Sequence, residues 1–156
     1  MESRTERYAI INFLEQHAED RAMLAALRRG LGKMPGDAPE MFPYVVPFVR
    51  NEYEEADYYA IASLFALHPK SAANGNIGNH LRAYIKEVGD DEATTRRFVQ
   101  LLRMRRETLD TPLRQHISLL KAKEIAVNWN QLLYDLRYWS HPNRFVQKHW
   151  ETSFWS

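Results

Sequence analysis

Residues 91–109, DEATTRRFVQLLRMRRETL, place Phe98, Leu101, Leu102 and Leu109 at intervals of three, four and seven, the spacing that gathers side chains on one side of an α-helix. On a wheel of about 100° per residue, Arg96, Arg103 and Arg106 fall in one narrow sector opposite that apolar stripe. One face packs and the other presents guanidinium groups. Arg97 flanks the polar sector, whereas Arg105 points toward the apolar side, where it snorkels or meets a carboxylate. The pattern predicts a helix from near Asp90 or Asp91 to about Leu109.

The same periodicity recurs in both directions along the chain, and no strand-like alternation persists. Toward the N-terminus, residues 4–17 read as a helix with Tyr8, Ile11 and Leu14 or Phe13 inward. Arg21 to Leu31 reads as a shorter one ended by Gly30 and Gly32. Pro35, Pro39, Pro43 and Pro47 make residues 32–49 a proline-rich loop. Glu52 to Leu67 is helical, with its acidic residues in the first turns. His68-Pro69 stops it, residues 69–77 read as a mobile loop, and a helix from Gly78 to Val88 closes at Gly89.

Toward the C-terminus, Thr111-Pro112 supplies a cap and first-turn proline. Asn128 caps a helix to Trp139, and Pro142 opens the last one. Trp129, Leu132, Leu133, Leu136 and Trp139 form one apolar stripe, and Phe145, Val146, His149, Trp150 and Phe154 another; both read as core. Trp155 lies off the stripe and is a candidate for docking on a partner. The expected fold is all-α, a single-domain bundle of about six to eight helices spanning 1–156.

Charge is unevenly spread. Residues 1–57 carry 7 basic and 11 acidic side chains, and residues 58–156 carry 14 and 9. Within 96–123, 8 basic residues face only Glu107 and Asp110, and arginine outnumbers lysine 6 to 2. Solvated surface charge is the plain alternative, but such helices usually carry i,i+4 glutamates, and arginine is favoured where planar phosphate contacts form. Arg114 and Lys121 lie two turns apart on the next helix, followed by Lys123, and Arg28-Arg29 is a further basic pair. The segregation is the footprint of a surface that meets nucleic-acid backbone.

Other chemistries are poorly supported. The chain has 0 cysteines, which excludes disulfides and thiolate chemistry. The six histidines form no HxxxH pair, and no phosphate-binding glycine loop or nucleophile elbow occurs. The expectation is a non-enzymatic protein with no cofactor and no metal. His80, just after the loop and close to Arg82, is a candidate phosphate contact. The cluster Glu52, Glu54, Glu55, Asp57 resembles a nuclease metal site only in composition, and a helix start accounts for it. With no long apolar run and no secretory leader, the chain reads as cytoplasmic and not membrane-bound.

The order of Leu27-Arg28-Arg29-Gly30, Gly78 opening a helix, Arg96-Arg97-Phe98 with Leu101-Leu102, then Trp129-x-x-Leu132-Leu133-x-Asp135-Leu136-x-x-Trp139 and Val146-Gln147-x-x-Trp150-x-x-x-Phe154 resembles the CasB family, the small subunit of the type I-E CRISPR Cascade complex. The resemblance spans nearly the whole chain. It implies a non-catalytic helical protein of antiviral defence that forms a head-to-tail homodimer inside the complex. Its implied partners are guide RNA, target DNA and the other Cascade subunits, and its implied role is to hold the strands of the R-loop. Carried over by position, Arg28, Arg29, Arg96, Arg97, Arg103, Arg106 and Arg114 form the track, with Lys121 and Lys123 extending it. Arg105, Gln115 and Asn128 depart from the family pattern. The competing reading is a helical protein-interaction module whose basic patch docks an acidic protein.

Overall fold

A computed structural model describes residues 6–89 and 92–156. The helices are α1 (Ala9–Gln16), α2 (Arg21–Arg28), the single turn α3 (Phe42–Val45), α4 (Glu52–Leu67), α5 (Ile77–Val88), α6 (Glu92–Arg103), α7 (Asp110–Ala122), α8 (Trp129–Arg137) and α9 (Phe145–Phe154). The only strand-like pairing among the described residues is an isolated bridge between Ser71 and Val127. The fold is all-α, as the periodicity requires.

Several helix starts are set by short polar side chains that accept orphan backbone N–H groups. Asp20 accepts from Met23, Asn51 from Tyr53 and Glu54, and Asn128 from Gln131. Asn76 and Asn79 cap α5 reciprocally. Gly89 ends α5 with φ 76°, a conformation favourable to glycine. Residues 32–49 are more ordered than a loop. Pro39, Pro43 and Pro47 each sit in the first turn of a short helical segment (Pro39–Met41, Phe42–Val45, Val46–Phe48), where a missing N–H costs nothing. Residues 70–72 are tied to the start of α8: Ala72 N–H donates to Val127 O at 2.9 Å and Val127 N–H to Lys70 O at 3.0 Å.

Helix α4 is the axis of the bundle. From Asp57 to Ala66 every residue is buried, so α4 packs on all sides, meeting α1, α2, α3, α7 and α8. Three tryptophans fill the centre: Trp129 meets Phe65 edge-on at 5.7 Å, and Trp139 meets Trp150 at 5.0 Å. Helix α5 lies against α9 so closely that a methyl on Gly78 would run into the Trp150 carbonyl oxygen. The second predicted stripe is narrower than expected. Val146, Trp150 and Phe154 are buried, but Phe145 is half-buried and His149 exposed.

Asp135 is buried beside these tryptophans. Its carboxyl accepts from Trp150 Nε1 at 2.7 Å and Gln131 Nε2 at 2.9 Å. Burial pushes its pKa from 3.8 up to about 7, against the opposing pull of both hydrogen bonds.

Two outcomes are expected. In an open helix Gly→Ala gains about 0.5–1 kcal/mol, but here overpacking costs ~1–3 kcal/mol, so Gly78→Ala should lower the urea midpoint. A midpoint at or above wild type contradicts the close approach. Between pH ~4 and ~7 the folded chain retains the Asp135 proton that the unfolded chain has released, so this group's contribution is full at low pH and is lost as pH rises. The stability of Asp135→Asn relative to wild type should therefore climb across that window in urea titrations and level off above it.

A candidate nucleic-acid interface

The predicted helix to Leu109 stops at Arg103, and the phase of everything after it changes. Trp139 Nε1 donates to Met104 O at 2.8 Å, and the Arg144 guanidinium donates to Leu102 O, so two carbonyls at the end of α6 are held from outside the helix. A short 3-10 turn, Arg106–Thr108, follows before α7. The turn exchanges the expected roles of two arginines. Arg106, assigned to the exposed stripe, points inward and is 16% exposed. Its Nε donates to Asp57 Oδ1 and its Nη1 to Asp110 Oδ1, both at 2.7 Å. Burial opposes its charge, but the two carboxylates outweigh burial and raise its pKa. Arg105, expected toward the apolar side, is 85% exposed, with only a loose approach to Glu107 at 3.9 Å.

Arg96, Arg97 and Arg103 are exposed on α6, and Arg96 and Arg103 lie two turns apart, about 10.5 Å along the axis. Arg97 is near the buried His116 of α7. Burial lowers the His116 pKa, the Pro112 carbonyl opposes this, and Arg97 lowers it further.

The remaining cations fall elsewhere on the bundle. Arg28 Nη1 donates to Ala66 O at 3.2 Å, and Arg29 is exposed beside it. Arg114 leans on the turn that follows: its Nη1 lies 3.4 Å from where a Cβ on Gly32 would stand. Both flank a cavity of about 220 Å³ between this turn, α4 and the start of α7. Lys121 and Lys123 are exposed at the far end of α7, where Lys121 and Lys70 add to the burial that lowers the His68 pKa. The structure thus places Arg96, Arg97 and Arg103 along α6, Arg28 and Arg29 at the end of α2, Arg114 beside the turn at Gly32, and Lys121 with Lys123 at the end of α7.

His80 is buried. Its Nε2 accepts the Asn128 N–H at 3.0 Å, and burial lowers its pKa to about 4, so it fastens α5 to the start of α8 as a neutral ring and offers no contact to phosphate. The acidic cluster also differs from a simple helix start. Glu54 is buried and held by Arg50 at 2.7 Å and Arg137 at 3.6 Å, and Asp57 is held by Arg106. Although burial works to raise the Glu54 pKa, the hydrogen bonds from Arg50 outweigh it and the net direction is down. Among the described residues no group of three His, Asp or Glu side chains is arranged to hold a metal ion, and no helix is long and apolar enough to cross a membrane.

The sequence reading passed over Arg144 and Lys148, both exposed. The available signal was the run from Leu136 to Trp150, which holds Arg137, Arg144 and Lys148 and no carboxylate.

Comparison with known proteins is consistent with this architecture. A family model described as CRISPR-associated protein Cse2 matches residues 23–155. A curated CRISPR-associated protein Cse2 from Thermus thermophilus is 33% identical over 140 residues, covering 86% of this chain and 79% of the relative. The crystal structure of CasB from Thermus thermophilus superposes with a TM-score of 0.81 at 27% identity, over 94% of this chain and 95% of that one. A chain of a solved CRISPR RNA-guided surveillance complex also gives 0.81 at 27% identity, over 94% and 89%.

The exchange of Arg105 and Arg106 is directly measurable. Arg106→Ala strands the Asp57 carboxylate in the bundle and should cost ~3 kcal/mol, the low end for breaking a buried pair. Arg105→Ala should stay within about 0.5 kcal/mol of wild type. Equal urea midpoints for the two variants would place Arg106 back on the surface.

Proposed function

The chain belongs to the Cse2 family of CRISPR-associated proteins, and from that membership we propose that it is a non-catalytic small subunit of a Cascade-type surveillance complex that holds nucleic-acid backbone. In this reading the ligands are guide RNA, target DNA and the displaced strand, and the task is to stabilise the R-loop. Copies of the chain pair head to tail beside the other subunits, in the cytoplasm where the guide complex works.

The observation that carries this reading is the state of α6. Arg50, Arg106 and Arg137 are each within 4 Å of a buried carboxylate. Arg96, Arg97 and Arg103 are exposed and meet no carboxylate among the described residues. Guanidinium groups left without a carboxylate on one amphipathic helix, in a protein that pairs Arg50, Arg106 and Arg137 with buried carboxylates, fit phosphate neutralisation. Nothing in the arrangement reads bases. In an RNA-guided complex the guide supplies sequence by pairing, so contacts that ignore sequence suffice. Arg28, Arg29 and Arg114 form a second candidate contact, Lys121 and Lys123 a third. Arg106 does not belong with them; it holds α4 to α7.

The test replaces Arg96, Arg97 and Arg103 together by alanine and measures oligonucleotide binding against salt. For each phosphate that the variant no longer neutralises, the slope of log K against log salt should shrink by about 0.7–0.9, with unchanged circular dichroism and urea midpoint. The same slope in a folded triple variant rejects α6 as the phosphate-binding face. Intact nucleic-acid binding with impaired retention by the other subunits would instead favour an acidic protein partner for this face.

A further inference from the structure

The corner between α8 and α9 carries a cluster of aromatic rings that extends from the core, on which Phe145 packs, to the surface. Tyr134 on α8 and Tyr138 at its C-cap stand one turn apart, Phe145 and His149 one turn apart on α9, and His141 lies in the connecting turn. Phe145 is the hub, with ring centroids 5.1 Å from His141, 5.9 Å from His149, 6.0 Å from Tyr138 and 6.4 Å from Tyr134. Tyr134 and Tyr138 meet at 4.7 Å. Trp129, Trp139 and Trp150, on the same two helices and the turn between them, are buried, whereas Tyr138 is 42% exposed and both histidines are exposed. Tyr138, His141 and His149 therefore leave ring surface open to solvent around the half-buried Phe145.

The corner is also rigid and electropositive. Arg144 adopts φ 56° at the head of α9, its N–H donates to His141 O at 3.0 Å, and Asn143 Oδ1 accepts the Phe145 N–H at 2.9 Å. Rings held in place beforehand lose little freedom when a ligand arrives. No carboxylate occurs between Asp135 and Glu151, and Arg144 and Lys148 are exposed beside the rings. Through its hydrogen bond to Leu102 O, Arg144 fixes the corner against the end of α6, one residue before Arg103. The aromatic corner is therefore anchored to the end of the helix that carries Arg103.

We propose that this corner is a stacking platform for unpaired bases of a single-stranded nucleic acid whose phosphates continue toward Arg103, an inference that rests on the nucleic-acid-binding reading and deepens it. A duplex keeps its bases stacked inside and offers phosphates alone, so it uses the cations but not the rings. An unpaired strand offers both, and every base has a π face, so the contact tolerates any sequence.

The experiment uses the full chain with three probes of equal length: a single-stranded DNA, the same strand made entirely abasic, and a duplex. Tyr138→Ala combined with His149→Ala changes two outward rings outside the core. Binding of the single strand should fall about five- to tenfold, within the range for loss of base–aromatic stacking. Binding of the abasic strand and the duplex should not change, and Tyr138→Phe should bind as wild type. The triple α6 variant should weaken all three probes. If the ring variant is folded and binds every probe as wild type does, or is weakened equally on all three, the platform is wrong. If its nucleic-acid binding is intact but it is no longer retained by the other surveillance-complex subunits, the corner is a protein-docking surface and the platform is again wrong. A silent α6 variant beside a ring variant weakened only on the base-bearing single strand overturns the backbone reading and leaves the platform standing.

Discussion

The indole of Trp139 and the guanidinium of Arg144 reach across 35 and 42 residues of sequence to hold carbonyls at the end of α6. A helix leaves its last carbonyls without internal partners, and a donor positioned by another element fixes where the helix stops. Here the stop falls after Arg103. Had the helix run on, Arg106 would have joined the exposed stripe and Asp57 would have been left as a buried charge without a partner. Instead the turn directs Arg106 inward and Arg105 outward, and the same two hydrogen bonds fix the α8–α9 corner against the basic helix. The packing of α4 on α7 and the composition of the outer surface both follow from this one terminus.

Buried carboxylates explain why total charge is a poor guide to the surface. A carboxylate taken out of water must be paired or protonated. Glu54 is paired with Arg50 and Arg137, and Asp57 with Arg106. Asp135 has two hydrogen-bond donors but no cation in contact, and burial raises its pKa; burial raises that of Asp57 as well, against the pull of Arg106. Arginines from both halves of the chain serve the interior in this way. Counting charges along the sequence assigns them to the surface; only the tertiary contacts separate structural cations from those left exposed.

What was legible in the sequence was what local physics decides. The bounds of α4, the Asn128 cap, the glycine that ends α5 and the exposed faces of Arg96 and Arg103 depend on residues within a turn or two of each other. What was not legible depends on distant partners. Nothing within 91–109 signals that Trp139 and Arg144 will end the helix. The prolines of 32–49 argue against a long helix but do not show that each will seat in a separate helical turn. Phe145 and His149 have core spacing, yet only the direction in which α9 presents Val146, Trp150 and Phe154 to its neighbours leaves Phe145 half-buried and His149 exposed. His80, a plausible phosphate contact by position, is committed to the Asn128 N–H.

The chemistry of the proposed surface fits a division of labour in strand handling. Pairing with a guide already discriminates sequence, so a subunit that read bases would add a second, conflicting specificity. In that proposal, arginines on α6 would respond to phosphate spacing and the exposed rings to whether bases are free to stack, and neither would respond to which bases are present. Together they would distinguish an opened duplex from a closed one, because only the opened one supplies phosphates and bare π faces at the same place. A surface tuned to that distinction would bind more strongly as pairing with the guide exposes the displaced strand. It would therefore resist reclosure of the duplex without touching the sequence that the guide has chosen.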